Sequence, residues 1–436
     1  MMLSRTSKSK AVFLQQAALV ILPKLLAGVG TACIGLVLMR FMAPAEFGVL
    51  SLCLSGLLMM DGLLGSAFDL ATVRISTNSR EDDRSISYQA QQSCIALKLG
   101  AVFIAGLLLI SFHQLLLHTF FNGYGNAPLA LTLLSGCAVL LLRSAQIHFQ
   151  LEKRFRSYGL IDLGHSGLKI LGIACLIATA KLTPTHVMAV YLVAPSTLVL
   201  LWAIRNGRQI YTHTVFSFAM TRQMLGQARW YLLTFGIGTL VARGDLWLVA
   251  HYTNMHTAGM YSAAQLLALI PPMIGTYLSV VVSPRIMPLF SSGKLLAFTV
   301  RAQSALLLLS IAGYVIALML LPRFSPFLAP KFHEALPVLL ILLPGSLAGF
   351  VCFPLTLTTL MFLRPRFLVL LDAATVPIIL VAYTLLVPRF GVIGAAWISS
   401  SVALGRALIV QLVVLLSIRH TSQPKPLVEE LQLTTI

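Results

Sequence analysis

The sequence predicts an all-α polytopic membrane protein of twelve transmembrane helices. Three observations lead there. The chain of 436 residues is 58% hydrophobic and only 10% charged, where soluble domains carry roughly 25% charged residues, and its mean hydropathy is +0.90. Apolar runs long enough to cross a bilayer, about 20 residues each, recur along the whole length. Lysine and arginine between those runs alternate between rich and poor segments, as orientation in a membrane requires. A β-barrel would instead show short alternating segments.

The twelve spans fall near residues 14–40, 47–73, 94–117, 127–150, 158–180, 185–204, 229–251, 257–289, 298–321, 335–363, 367–387 and 392–418. The basic start (Arg5, Lys8, Lys10) and the long apolar run after it, without an Ala-x-Ala site, read as an uncleaved first helix. Short turns punctuated by Pro44 and Gly48 and by the stretch "HYTNMHTAG" (251–259) separate spans one from two and seven from eight. Spans eight and ten carry prolines: Pro271, Pro272, Pro284 and Pro288, then Pro337, Pro344 and Pro354. Each removes a helix hydrogen bond and bends the helix. Bending of that kind serves alternating access or only packing.

Orientation follows from the cations. With the N-terminus inside, the inner segments hold Arg5, Lys8, Lys10, Arg74, Arg80, Arg84, Lys153, Arg154, Arg156, Arg205, Arg208, Arg222, Arg229, Arg285, Lys294, Arg301, Arg364, Arg366, Arg419 and Lys425. The outer segments hold only Arg40, Lys181, Arg323, Lys331 and Arg389. A miscounted span would reverse the bias in every later loop, so twelve spans with both termini cytoplasmic is the expectation. The same pattern explains the net charge of +18 without nucleic acid. The longest loops, near 74–93 and 205–228, leave no room for a soluble domain, so the work falls inside the membrane. A shift of 211 residues lays "EFGVLS" (46–51) on "TAGMYS" (257–262), each opening a helix after an outer turn. Two repeated halves are expected, 1–215 and 216–420, with a cytoplasmic tail at 421–436; transporters built so hold their site between the repeats.

Charges within spans are costly, at least ~2.5–3.5 kcal/mol at the centre. Six cations lie there: Lys24, Lys98, Arg143, Lys169, Arg243 and Arg406; so do Asp61, Asp69, Asp162, Asp245 and Asp372. Lys98 near the inner edge reads as snorkelling, with Asp69 and Asp372 as interface anchors or structural pairs. The deep cations Lys24, Arg143, Lys169, Arg243 and Arg406 then outnumber the deep acids Asp61, Asp162 and Asp245. A dry interior balances its charges, so the excess points to a wet cavity that receives an anion; the bland alternative is helix bracing. Arg243 and Asp245, two residues apart, face about 200° apart and cannot pair simply. Asp162 and Lys169, seven apart, share a face but need a third group to connect.

Several chemistries are excluded. "SSGKLL" (291–296) has Pro288 where a Walker A motif needs its first glycine, so nucleotide hydrolysis is not expected. No HExxH or GxSxG occurs, and the ten histidines, among them His113, His118, His186, His251, His256 and His333 at outer ends, show no metal-ligand spacing. Catalytic residues, metal and cofactor are expected to be none. The six cysteines, Cys33, Cys53, Cys94, Cys137, Cys175 and Cys352, sit in apolar stretches as buried hydrophobes.

Three stretches carry a family resemblance. "VLMRFMAPAEFGVLSL" (37–52) ends a span in arginine before a Pro-x-Glu-aromatic-Gly turn; "RGDLWLVAHYTNMHTAGMYSAAQ" (243–265) has an aspartate followed by Gly-x-Tyr-x-x-Ala; "VPRFGVIGAAWISSS" (387–401) has Phe-Gly-x-x-Gly-Ala-Ala before the last span. In order and spacing they resemble the polysaccharide-biosynthesis flippases (Wzx-type) of the multidrug/oligosaccharidyl-lipid/polysaccharide exporter superfamily, over nearly the whole chain. The resemblance implies two six-helix bundles around a central cavity and export of a polyprenyl-pyrophosphate-linked oligosaccharide across the bacterial inner membrane, driven by a proton or sodium gradient. It implies as partners that glycan, membrane lipids and other polysaccharide assembly proteins. It places Arg243 and Asp245 in the family's charged pattern of span seven and Lys24 where relatives carry a cation. Asp61, Asp162 and Asp245 are the ion-coupling or helix-pairing candidates. The competing readings are a multidrug antiporter, which would favour acidic or aromatic pockets; the peptidoglycan-precursor branch, usually of fourteen spans; a membrane transferase or polymerase, which lacks its large acidic loop here; and a non-transporting scaffold.

Overall fold

The computed structural model describes residues 2–78, 84–121, 126–207, 216–275, 278, 282, 295–328, 330–362 and 366–420, with side chains from Leu22 onward except at 78, 84, 207, 296, 324–328, 356–362, 366–368 and 414–420. Among them every regular element is helical. Eleven helices are long and apolar enough to cross a membrane. The last, Val369–Val413, has 45 residues and would run about 68 Å if straight, twice the ~30 Å hydrocarbon core. It is not straight. Gly391 interrupts it at φ 58°, ψ −143°, and the Tyr383 and Ser399 hydroxyls, sixteen residues apart, meet at 2.8 Å. The segment is therefore a hairpin of two crossings, which brings the total to the expected twelve.

The chain forms two compact units, Met1–Gly259 and Met260–Ile436. In the first, α1 (Met2–Phe41) packs on α6 (Phe155–Ala178), and α5 (Asn126–Leu151) packs on α7 (Pro184–Trp202). The second span is α2 (Pro44–Met60), a π-turn (Asp61–Gly65) and α3 (Ser66–Asn78) in one run. α4 (Arg84–Phe120) and α8 (Phe218–Tyr252) close over α3. Their shared core is Phe68, Ala71 and Ile75 of α3, Ala90 and Cys94 of α4, and Met224 and Ala228 of α8. A second core joins Ile95, Leu142, Ala145, Phe149, Ile161 and Trp202. α8 thus packs into the first unit although the sequence repeat assigns it to the second half.

α9 (Met255–Ala268) begins in the first unit and continues into the second. Its start is capped by Asn254, whose side chain accepts from the Thr257 amide at 2.8 Å. Gly259 faces Gly48 of α2 so closely that a Cβ on either would run into the other helix's backbone, at Pro44 and Met255 respectively. The two glycines matched by the 211-residue repeat are therefore each other's neighbours. The second unit further contains α10 (Leu295–Leu328), α11 (Ala335–Phe362) and the hairpin α12 (Arg366–His420). α11 lies against α12 where Gly345 donates to Ser400 Oγ at 3.1 Å. Tyr261 of α9 reaches Ser399 of α12 at 2.9 Å.

Polarity is arranged for lipid. Large apolar side chains such as Ile110 and Leu308 are 71% and 69% exposed, while Lys98 is 0% exposed. Helices also extend beyond the predicted spans: α3 runs to Asn78, α4 starts at Arg84 and α8 at Phe218. Parts of the stretches expected as loops near 74–93 and 205–228 are therefore helical, the start of α8 being capped by Ser217, which accepts from the Met220 amide. Pro344 and Pro354 sit inside an uninterrupted α11; Pro284, Pro288 and the tail lie outside the described residues.

Candidate functional site

The charged side chains of the first unit converge on α5 and α6. Arg143 of α5 grips Asp61 with both oxygens, Nε to Oδ1 at 3.1 Å and Nη2 to Oδ2 at 2.9 Å, the two-pronged geometry that makes such pairs strong. Lys98 of α4 donates to Asp69 Oδ1 at 2.6 Å, Leu140 O at 3.1 Å and Ser144 Oγ at 3.0 Å, so all three ammonium protons are used. Asp61 and Asp69 stand eight residues apart, which in a regular α-helix puts them about 80° apart. The π-turn absorbs one residue: the Ser66 amide bonds back to the Asp61 carbonyl, five residues earlier. The offset falls to that of seven residues, about 20°, and both carboxylates face the α4–α5 side. Two glycines permit this. A Cβ on Gly65 would sit 2.8 Å from Asp61 Oδ1, and one on Gly62 would sit 2.5 Å from Thr239 Oγ1 of α8.

On α6, Asp162 accepts from Gln146 Nε2 of α5 at 2.6 Å. Its other oxygen is buried without a hydrogen-bond partner, as is His165 Nε2 one turn on. Lys169 lies over the Tyr191 ring of α7 at 5.1 Å, buried, and Asp162 attracts it electrostatically. Asp61, Asp69 and Asp162 all attract Arg143. Lys24 of α1 lies 4.9 Å over the Tyr158 ring of α6. Lys24 apart, these residues make one connected electrostatic network from α3 to α7.

On α8, the Arg243 carbonyl accepts from Ser55 Oγ at 3.4 Å, and Trp247 Nε1 donates to the same hydroxyl at 3.2 Å. Among the described residues the Arg243 guanidinium has no hydrogen-bond or ion-pair partner; Asp245 attracts it from a distance. The Asp245 carboxylate turns back onto its own helix and accepts from the Leu246 amide at 2.8 Å. In the second unit, Arg406 and Asp372 form a two-pronged pair across the α12 hairpin, at 2.8 and 3.2 Å.

One expectation needs correction. Lys98 does not snorkel; it is wholly buried because Asp69, Leu140 and Ser144 satisfy it in place. Asp69 and Asp372 take the second of the two roles expected of them, structural pairs, with Lys98 and Arg406. Six cations therefore face five aspartates, and the surplus is one, smaller than the two expected from five against three. Sequence reasoning also missed the π-turn, whose signal was "DGLLG" between two carboxylates at an off-face spacing, and the roles of Gln146 and His165.

A family model described as polysaccharide biosynthesis protein matches residues 19–290. The chain belongs to that family. No curated protein sequence matches it significantly. Among solved structures, the lipid II flippase MurJ in an inward closed conformation matches with a TM-score of 0.72 at 12% identity, over 90% of this chain and 86% of that one. A multidrug resistance MATE family transporter of the MOP superfamily, inward-facing, matches at 0.69 and 12%, over 92% and 100%. A MOP superfamily transporter from Pyrococcus furiosus, described as having a binding pocket of reverse polarity that suggests a different function, matches at 0.59 and 11%, over 94% and 96%. The fold is that of these transporters, and the chain is a multi-pass membrane protein of this fold.

Proposed function

We propose that this protein is a flippase that carries a polyprenyl-pyrophosphate-linked oligosaccharide from the cytoplasmic to the outer leaflet of the bacterial inner membrane. Both termini are cytoplasmic, and the transport halves are 1–215 and 216–420. Movement is by alternating access driven by a proton or sodium gradient, without nucleotide hydrolysis. The reading is supported by membership of a polysaccharide biosynthesis family and by a transporter fold. The observation that carries it is the Arg243 guanidinium, half-buried in an apolar span with no bonded carboxylate among the described residues, together with the Lys169 ammonium resting on a ring. A cation kept inside a membrane protein without a bonded counter-ion marks a substrate pathway, and a pyrophosphate supplies the missing acceptors.

Lys24, Arg143, Lys169, Arg243 and Arg406 are the substrate-facing cations of this reading. Arg143 and Arg406 meet the substrate only after releasing Asp61 and Asp372. Asp162, with one oxygen unpartnered, and Asp61 and Asp245 are the carboxylates available for ion coupling. The fold hosts pockets of more than one polarity, so interior charge separates this reading from a multidrug cation antiporter. The test is restoration of surface polysaccharide in a bacterium lacking its own flippase for a matched repeat unit. Wild type restores it and Arg243→Ala with Lys169→Ala does not. Resistance to organic cations without restored polysaccharide would favour the antiporter.

A further inference from the structure

The π-turn at Asp61–Gly65 does more than align two carboxylates. It carries one residue more than an α-helical path between the same two faces needs, and such an insertion has two ways to be accommodated. In the form present here the extra residue bulges, the Ser66 amide reaches the Asp61 carbonyl, and Asp61 and Asp69 share a face. If the bulge relaxes into α-helix, the segments on its two sides turn relative to each other by one residue, about 100°. Asp69 is anchored by Lys98, a side chain with no exposed surface and three satisfied protons. The body of α2 is held by the Gly48–Gly259 contact and by Ser55, so the rotation is confined to the residues around Asp61, the bulge passing to the α2 side of it. Asp61 then swings off Arg143, while Arg143 keeps its place on α5.

What Asp61 gives to Arg143 is what a phosphate oxygen pair would give: two acceptors, at 3.1 and 2.9 Å. The Arg143 side chain is 42% exposed and the Asp61 side chain 14%, so the arginine can be approached while its internal partner is held behind it. We propose that the π-turn is a two-position register switch in which Asp61 acts as an internal stand-in for the substrate's anion, masking Arg143 in the π form and surrendering it in the α form. A ligand shifts such an equilibrium by its preference for one state; here the anion prefers the α form, in which the Nε–Nη2 edge of Arg143 is free of Asp61, whereas in the π form only the donors that Asp61 leaves unused are open to it. Opposite charges next to Arg143 in either state keep its interior cost low. The inference rests on the reading of this region as an anion-carrying site and assigns its regulation.

Removing one residue from the turn has a distinctive consequence. Deletion of Leu63, an exposed residue, leaves the two aspartates seven residues apart, so a regular α-helix already places both on one face. That variant keeps the Asp61–Arg143 pair and has no second position. Asp61→Asn does the opposite, weakening the mask without touching the arginine. Gly65→Ala, whose Cβ would crowd Asp61 Oδ1 at 2.8 Å, pushes the carboxylate off the guanidinium with no change of chain length.

The experiment is calorimetric titration of the purified full-length protein in lipid nanodiscs with inorganic pyrophosphate. Asp61→Asn and Gly65→Ala are expected to bind about tenfold more tightly than wild type, the worth of one charge-assisted contact released. The Leu63 deletion is expected to bind about tenfold more weakly. Arg143→Gln in the Asp61→Asn background is expected to erase the gain. If the deletion does not fold, Gly65→Ala decides alone. Pyrophosphate binding that is the same in wild type, Asp61→Asn and Gly65→Ala overturns the switch while leaving the transport reading standing. A gain that survives loss of Arg143 overturns it also. No pyrophosphate binding in any variant overturns the anion reading and the switch together.

Discussion

Replacing Lys98 with methionine tests how the interior tolerates its charges. Methionine keeps the length and apolar stem, so little packing volume is lost. What disappears is an ammonium with three bonds and no exposed surface. The bonds to Leu140 and Ser144 contribute little, since interhelical hydrogen bonds in membranes average about 0.6 kcal/mol. The charge decides the outcome. Asp69 is left as a carboxylate with 14% of its side chain exposed and its bonded cation gone. Breaking a buried pair in this way costs about 3–5 kcal/mol. Asp69→Leu alone strands the ammonium and is expected to cost a similar amount. The double variant removes both charges, and substituting a buried pair by apolar side chains is often neutral. It is therefore expected to be more stable than either single variant. Reversible denaturant unfolding in mixed micelles, followed by tryptophan fluorescence, gives the cycle. Additive losses, or a Lys98→Met variant within about 0.5 kcal/mol of wild type, would refute the claim that this pair is a closed structural unit.

Other substitutions probe separate elements. Gly259→Ala places a Cβ against the Pro44 carbonyl and is expected to cost about 1–3 kcal/mol as overpacking, whereas Gly313→Ala, with nothing within 4 Å, is expected to be neutral or stabilising; thermal melts compare the two. Gly391→Ala forces a side chain into φ 58°, ψ −143° and is expected to cost about 1–3 kcal/mol, seen as lower yield of folded protein. Exchange of Arg406 and Asp372 for one another is expected to preserve folded yield better than Arg406→Asp alone, because the α12 hairpin pair survives reversal. Tyr383→Phe removes the hydroxyl bonded to Ser399 at 2.8 Å and is expected to cost about 0.5–1.5 kcal/mol in the same melts.

The twelve crossings are legible because hydropathy and the Lys/Arg bias report directly on lipid, and "VPRFGVIG" marks the hairpin at Gly391. The candidate residues were legible as well, since charges stand out in apolar runs. Their partners were not. Pairing depends on helix phase, and one π-turn moved Asp61 by a whole residue's rotation, which no α-helical projection of the sequence anticipates. Lys98 was misread for a related reason: depth along a span says where a charge lies, while its neighbours on α3 and α5 decide whether it stays. Gly48 and Gly259 were found as a weak repeat, and the reason for their identity, two backbones in contact, required the fold.

The most direct measurement is translocation of a radiolabelled polyprenyl-pyrophosphate oligosaccharide across vesicles containing the purified protein, with Arg243→Ala and Arg243→Lys at matched incorporation. The account predicts that wild type moves the lipid, that Arg243→Ala abolishes movement, and that Arg243→Lys largely restores it, because a positive charge at that position is the requirement. Equal transport by Arg243→Ala and wild type, or none by wild type, would contradict it.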